Sequence, residues 1–134
     1  MNITKNEIIQ INKGILGEWI QENPAENVGT GFDKNRLSDV LTLVDEQDSF
    51  LMKASYLLGA MAWSQPFTDG NKRTAFICAN TLLKLNGYEL KIENKTDRDY
   101  LIKLLREIQE ERNSLNGDIM AKIVLYVAKR IRKL

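Results

Sequence analysis

The stretch that decides the fold reads Gln65-Pro66-Phe67-Thr68-Asp69-Gly70-Asn71-Lys72-Arg73-Thr74-Ala75. Pro66 and Gly70 interrupt the helical pattern, so a short loop is expected, with a new helix starting near Asn71. The first turn of a helix carries free backbone N–H groups and a partial positive charge. Lys72 and Arg73 add two full positive charges at that end, which is locally unfavourable unless an anion binds there. Phosphate is the natural candidate, and Gly70 lets it approach the backbone. Asp69 is out of place beside an anion unless a divalent cation such as Mg²⁺ bridges it to the phosphates. Phe67 is apolar in a polar loop and is expected to anchor it in the core. Bare chemistry leaves a second reading open, a tight interhelical turn carrying a solvated Asp–Lys/Arg cluster.

Working outward, helical periodicity dominates. Thr4 followed by Glu7 forms a capping box, and Ile8, Ile11, Ile15 and Trp19 repeat at helical spacing. Asn23-Pro24 stops that helix. Residues 25–32 hold Gly29 and Gly31 around Thr30 and read as a loop or short extended flap. Asp33 can cap a helix carrying Leu37, Val40, Leu41 and Val44. Asp48 or Ser49 can cap the next, over residues 50–63, which is apolar nearly all round and so belongs at the centre of a bundle. Downstream of the loop, a helix with Ala75, Phe76, Ala79, Leu82 and Leu83 ends at Asn86-Gly87. Residues 88–92 alternate like a short strand, and two more helices follow over residues 97–112 and 116–132. The expected fold is all-α, a bundle of six or seven helices in one domain over residues 1–134.

The bulk properties fit this picture. The chain has 134 residues, 43% hydrophobic and 28% charged, with a net charge of +1. That length can bury one ordinary core. The near-zero charge provides no overall field for nucleic acid or acidic lipid, so neither is expected as a partner. No run of about 18 apolar residues predicts a membrane span. No signal peptide is read at the N-terminus, and a cytoplasmic location is expected. The single cysteine, Cys78, excludes an internal disulfide and reads as a small core residue. Trp19 and Trp63 read as core packing, and the basic last helix as a solvated face. The chain has no histidine, which rules out a histidine metal site, a Ser/His triad and any histidine base of its own. Without a base, Ser64 is not read as a nucleophile.

The motif loop resembles the signature of the Fic/Doc family, H-x-F-x-[DE]-[GA]-N-[GK]-R. Every defined slot after the first agrees, and Lys72 within Asn-Lys-Arg-Thr-Ala makes it look like the Doc, or death-on-curing, branch. The apolar helix before the loop, the helix ending in Asn86-Gly87 and the upstream flap fit the same family. The resemblance implies the Fic/Doc fold, with a short β flap. It also implies that Gly70, Asn71, Lys72 and Arg73 hold the phosphates of ATP or another nucleoside triphosphate. Asp69 would position Mg²⁺ or the phosphate end, Phe67 would anchor the loop, and Gly29, Thr30 and Gly31 would pair with an extended segment of the target. Family members transfer AMP or phosphate to a protein hydroxyl. By analogy with the Doc branch, the target would be a translation factor and an antitoxin would be a partner.

The departure is Gln65, which stands where the family has its histidine. That histidine takes the proton from the acceptor hydroxyl. A glutamine amide does not titrate near neutral pH and cannot do so. Two readings follow from the sequence. In one, the chain is a transferase scaffold rendered inactive at Gln65. In the other, it is a non-catalytic module that binds nucleotide or a partner. Whether Gln65 is native or an inactivating substitution is not legible in the sequence.

Overall fold

A computed structural model describes residues 2–24, 29, 31–111 and 113–134. Among them are six helices: α1 (Lys5–Glu22), α2 (Lys34–Asp45), α3 (Phe50–Ser64), α4 (Asn71–Leu85), α5 (Lys95–Glu110) and α6 (Gly117–Arg130). Two three-residue strands, β1 (Tyr88–Leu90) and β2 (Ile131–Lys133), pair antiparallel with Glu89 opposite Arg132. The fold is therefore the mainly α bundle expected.

Local chemistry explains most of the boundaries. The Thr4 side chain accepts from Glu7 N–H and the Glu7 carboxylate accepts from Thr4 N–H, closing the capping box. Asp33, Ser49, Asn94 and Asn116 cap α2, α3, α5 and α6 by the same physics, each accepting first-turn backbone N–H groups. The helix expected from residue 97 begins two residues earlier, because Asn94 is the cap and Asp97 sits in the first turn. Arg112, the expected end of that helix, lies outside the described residues, and the helix stops at Glu110.

α3 is the hub. It packs against α2, α4, α5 and α6, and its residues from Leu57 to Ala62 are all buried. An all-round apolar helix has no solvent face to present, so the other helices enclose it. Gly59 lets α6 approach closely, since a Cβ there would lie 2.1 Å from Met120 Sδ. Cys78 is fully buried beside this hub, and burial together with the Glu7 charge pushes its thiol up to about 12.

Two expectations are corrected. The last helix does not run to Arg132. It ends at Arg130, where the chain turns into β2, joined to β1 by the Lys91 N–H bond to the Arg130 carbonyl at 2.8 Å. Trp19 is not core: it is 40% exposed. The buried stripe of α1 runs through Ile8, Asn12, Ile15 and Leu16, and Gly70, where α4 begins, already lies against Asn12, Ile15 and Leu16. Trp19 stands a turn further on, past the start of α4. Trp63 is half-buried against the core, and its indole N–H donates to the Glu111 carbonyl at 2.6 Å.

Candidate functional site

The motif loop spans the gap between α3 and α4, and three sets of bonds shape it. First, the Asn71 side chain folds back along the loop. Its Oδ1 accepts from Phe67 N–H at 2.9 Å and its Nδ2 donates to the Phe67 carbonyl at 2.8 Å. The Asn71 amide thus behaves like a strand neighbour and closes the loop. Second, Asn12 supports the loop from α1. It is 1% exposed, and its Nδ2 donates to the Asp69 carbonyl at 3.0 Å and to Thr74 Oγ1 at 3.1 Å. Third, Phe67 is 3% exposed and its ring packs against Phe32.

Phe32 also joins Phe67 in an isolated antiparallel bridge. Around it, the Asp33 N–H bonds the Pro66 carbonyl at 2.7 Å and the Thr68 N–H bonds the Gly31 carbonyl at 3.0 Å. The Gly29 N–H reaches Asp69 Oδ2 at 2.8 Å. A Cβ on Gly29 would fall 2.3 Å from Thr68 Cγ2, so only glycine fits this close approach. The flap expected over residues 25–32 is therefore seen at its later end. Residues 25–28 and Thr30 lie outside the described residues.

α4 starts at Gly70, which adopts φ +76° and offers no side-chain cap. Each of the other five helices has one. The first N–H groups of α4 thus face a shallow pocket of about 260 Å³, lined by Gln65, Thr68, Asp69, Gly70, Asn71, Lys72, Arg73 and Gln109. Lys72 is half-buried there. Burial and the nearby charge of Arg106 hold its ammonium below the usual lysine range. Arg73 pairs with Glu18 at 4.0 Å, and both side chains are largely exposed. Such a pair contributes at most about 1 kcal/mol, so Arg73 can turn to an anion at little cost. The Asp69 carboxylate has one oxygen, Oδ2, engaged by the flap. Among the described residues no three His, Cys, Asp or Glu side chains could hold a metal ion. Asp69 fits Mg²⁺ only as one ligand beside waters and phosphate oxygens, the usual arrangement for that ion.

Gln65 ends α3 in the left-handed region, at φ 50° and ψ 60°, and it is the one non-glycine residue with positive φ among those described. Such a conformation is costly for an L-residue, and more so before proline, which favours extended backbone. The corner sets Gln65 on the seam between the small pocket and a larger one of about 670 Å³, which includes Arg36, Asp39, Trp63, Ser64 and Gln109 in its lining. Strained backbone of this kind is concentrated at functional sites.

The structure thus brings Gln65, Asp69, Gly70, Asn71, Lys72 and Arg73 to one pocket. Sequence reasoning missed Asn12, Gln109 and Arg106. Asn12 left a trace, as a polar residue inside the apolar stripe of α1. Gln109 and Arg106 left none, because only the packing of α5 brings them to Lys72.

Comparison with known proteins bears on the same region. A family model described as the Fic/DOC family matches residues 2–83, from before α1 into the end of α4. The chain is also similar to a protein named Toxin Doc from Mycolicibacterium smegmatis, with 40% identity over 55 residues. That match covers 41% of this chain and 42% of the relative, so the chain aligns with less than half of that protein's length.

Proposed function

The chain belongs to the Fic/Doc family, and on that premise we propose that it is a Doc-like toxin-fold protein that binds ATP or another nucleoside triphosphate with Mg²⁺. The phosphates lie over the first turn of α4, held by its uncapped N–H groups, Lys72 and Arg73. Asp69 takes the metal, which would draw charge from the phosphate oxygens when bound. The flap at Gly29, Thr30 and Gly31 receives an extended segment of a target protein carrying an acceptor hydroxyl, with a translation factor as the target class by family analogy. An antitoxin partner and a cytoplasmic setting belong to the same reading. No helix among the described residues is long and apolar enough to cross a membrane.

Transfer of the terminal phosphoryl group would form a bond from the acceptor oxygen to phosphorus and break the bond to the leaving phosphate oxygen. Transfer of AMP would do the same at the α-phosphorus. Either reaction needs somewhere for the hydroxyl proton to go. Gln65 lines the phosphate pocket at the family's histidine position but has no site to take it. Asp69 is the carboxylate in that pocket, and it is tied to the flap and assigned to the metal. With no histidine in the chain, the site binds substrates without the base that ordinarily accelerates transfer by about 10²–10⁴-fold. The observation that carries this reading is the uncapped start of α4, with Lys72 and Gln65 on one pocket.

The test is incubation with labelled ATP, Mg²⁺ and purified translation factors, comparing this chain with its Gln65→His variant. Label transfer by the variant alone is expected. Equal transfer by both would overturn the role assigned to Gln65. A non-catalytic binding module remains the second reading, favoured by the intact phosphate loop. It predicts nucleotide binding by both proteins and transfer by neither.

A further inference from the structure

Gln109 lies outside the motif, in the last turn of α5, yet its side-chain Oε1 accepts a hydrogen bond from Lys72 Nζ. It lines both the phosphate pocket and the larger cavity beside it. Its placement is firm, because the Trp63 indole N–H bonds the Glu111 carbonyl and ties the end of α5 to the end of α3. An ammonium group has three donors and no acceptor, so it needs oxygen partners when half-buried. A neutral amide oxygen meets that need less strongly than a phosphate oxygen does. The contact can therefore be exchanged for an anion, whereas a carboxylate in the same place would compete with it. An amide also has a second face: once its oxygen is released, the NH₂ group can donate to the anion.

We propose that Gln109 is a positioning residue of the phosphate site, holding the Lys72 ammonium aimed into the pocket and yielding it to an entering phosphate. The proposal rests on the reading of this pocket as a phosphate site. Burial and Arg106 both lower the Lys72 pKa, and the Gln109 oxygen on its ammonium opposes them. The charged groups around it are Arg73 on its own helix, Asp69 in the loop and Arg106 on α5. Of these, Asp69 alone favours the ammonium, and its Oδ2 already accepts from Gly29.

Two measurements test it. The first needs no ligand: the Lys72 titration, followed by NMR of carbon-labelled lysine in the whole chain and assigned with Lys72→Arg. Gln109→Leu removes the oxygen and should lower the Lys72 pKa further, while Gln109→Glu should raise it. A structural tie between α4 and α5 would not produce opposite shifts, and an unmoved titration in both variants would overturn the proposal. The second is ATP·Mg calorimetry across pH. Gln109→Leu should move the alkaline loss of affinity to lower pH, so that at a pH above the Lys72 pKa binding is about tenfold weaker for a fall of one pKa unit. In a Lys72→Ala background, the same substitution should change affinity little. An undiminished loss in that background would show that Gln109 does not act through Lys72. If the unaltered chain binds no ATP, the phosphate reading fails, and the ligand-free titration still decides whether Gln109 governs Lys72.

Discussion

Asn71 and Gln65 carry opposite lessons about single residues. The type of Asn71 was legible in the motif, but its structural work was not. Beside the phosphate role expected from the motif, its amide closes the loop on Phe67. Removing that amide should cost stability and ligand together. For Asn71→Ala, two loop hydrogen bonds disappear and two backbone groups of Phe67 lose their partners, so a loss of about 1–3 kcal/mol is expected in urea unfolding. ATP affinity should fall along with it. Unchanged stability would mean that the loop closes without Asn71. At Gln65, sequence and structure converge. The residue type excludes a proton acceptor, and the left-handed corner places that same side chain on the pocket seam.

At the scale of elements, five of the six described helices begin with a capping side chain, and α4 begins where Pro66 and Gly70 interrupt the pattern. Thr4 and Asp33 read as caps and so does Ser49, beside Asp48, whereas Asn94 and Asn116 cap α5 and α6 without having been read as caps. What could not be read was anything set by a distant partner. β2 exists because β1 offers a strand edge that Ile131, Arg132 and Lys133 can pair with. Nothing local in that segment competes with a helical reading. Trp19 matched the apolar period of α1, but the neighbouring helix begins before that period ends. The contact of α3 with α6 depends on Gly59, which lies under Met120. Gly59→Ala gains about 1 kcal/mol of helix propensity but must push aside the end of the buried Met120 side chain, at about 1–3 kcal/mol, so a net loss under about 2 kcal/mol is expected. Met120→Ala added to it should recover part of that loss by making room, which thermal or urea unfolding of the single and double variants can measure. Additive losses would contradict the close approach.

At the scale of the whole molecule, α5 and α6 are joined at one end by Asp97 and Arg130, whose side chains meet at 2.7 Å. Arg130 also lies over the Tyr126 ring, 3.8 Å from its centre. The hydrogen bond from Arg130 holds the Asp97 carboxyl below the usual carboxylate range. The folded protein therefore keeps that carboxylate charged at pH values where the unfolded chain has taken up a proton. Its stabilising contribution is complete above the unfolded value of about 3.9 and is lost as pH falls through the lower folded value. Asp97→Asn should thus be less stable than the unaltered chain at neutral pH and show a flatter acid limb. Matching acid limbs in urea titrations at pH 2 to 5 would contradict this.

Several elements of the bundle converge on the start of α4. Asn12 from α1, the flap residues before α2, the corner of α3 and Gln109 from α5 all meet the motif loop or its pocket. The proposed function makes this meeting point a site for nucleoside triphosphate phosphates that lacks a base. Calorimetric titration of the unaltered chain with ATP and Mg²⁺, beside the Lys72→Ala/Arg73→Ala double variant, decides it: saturable binding is expected for the first and none for the second. Absence of binding by the unaltered chain, or equal affinity in the double variant, would contradict it.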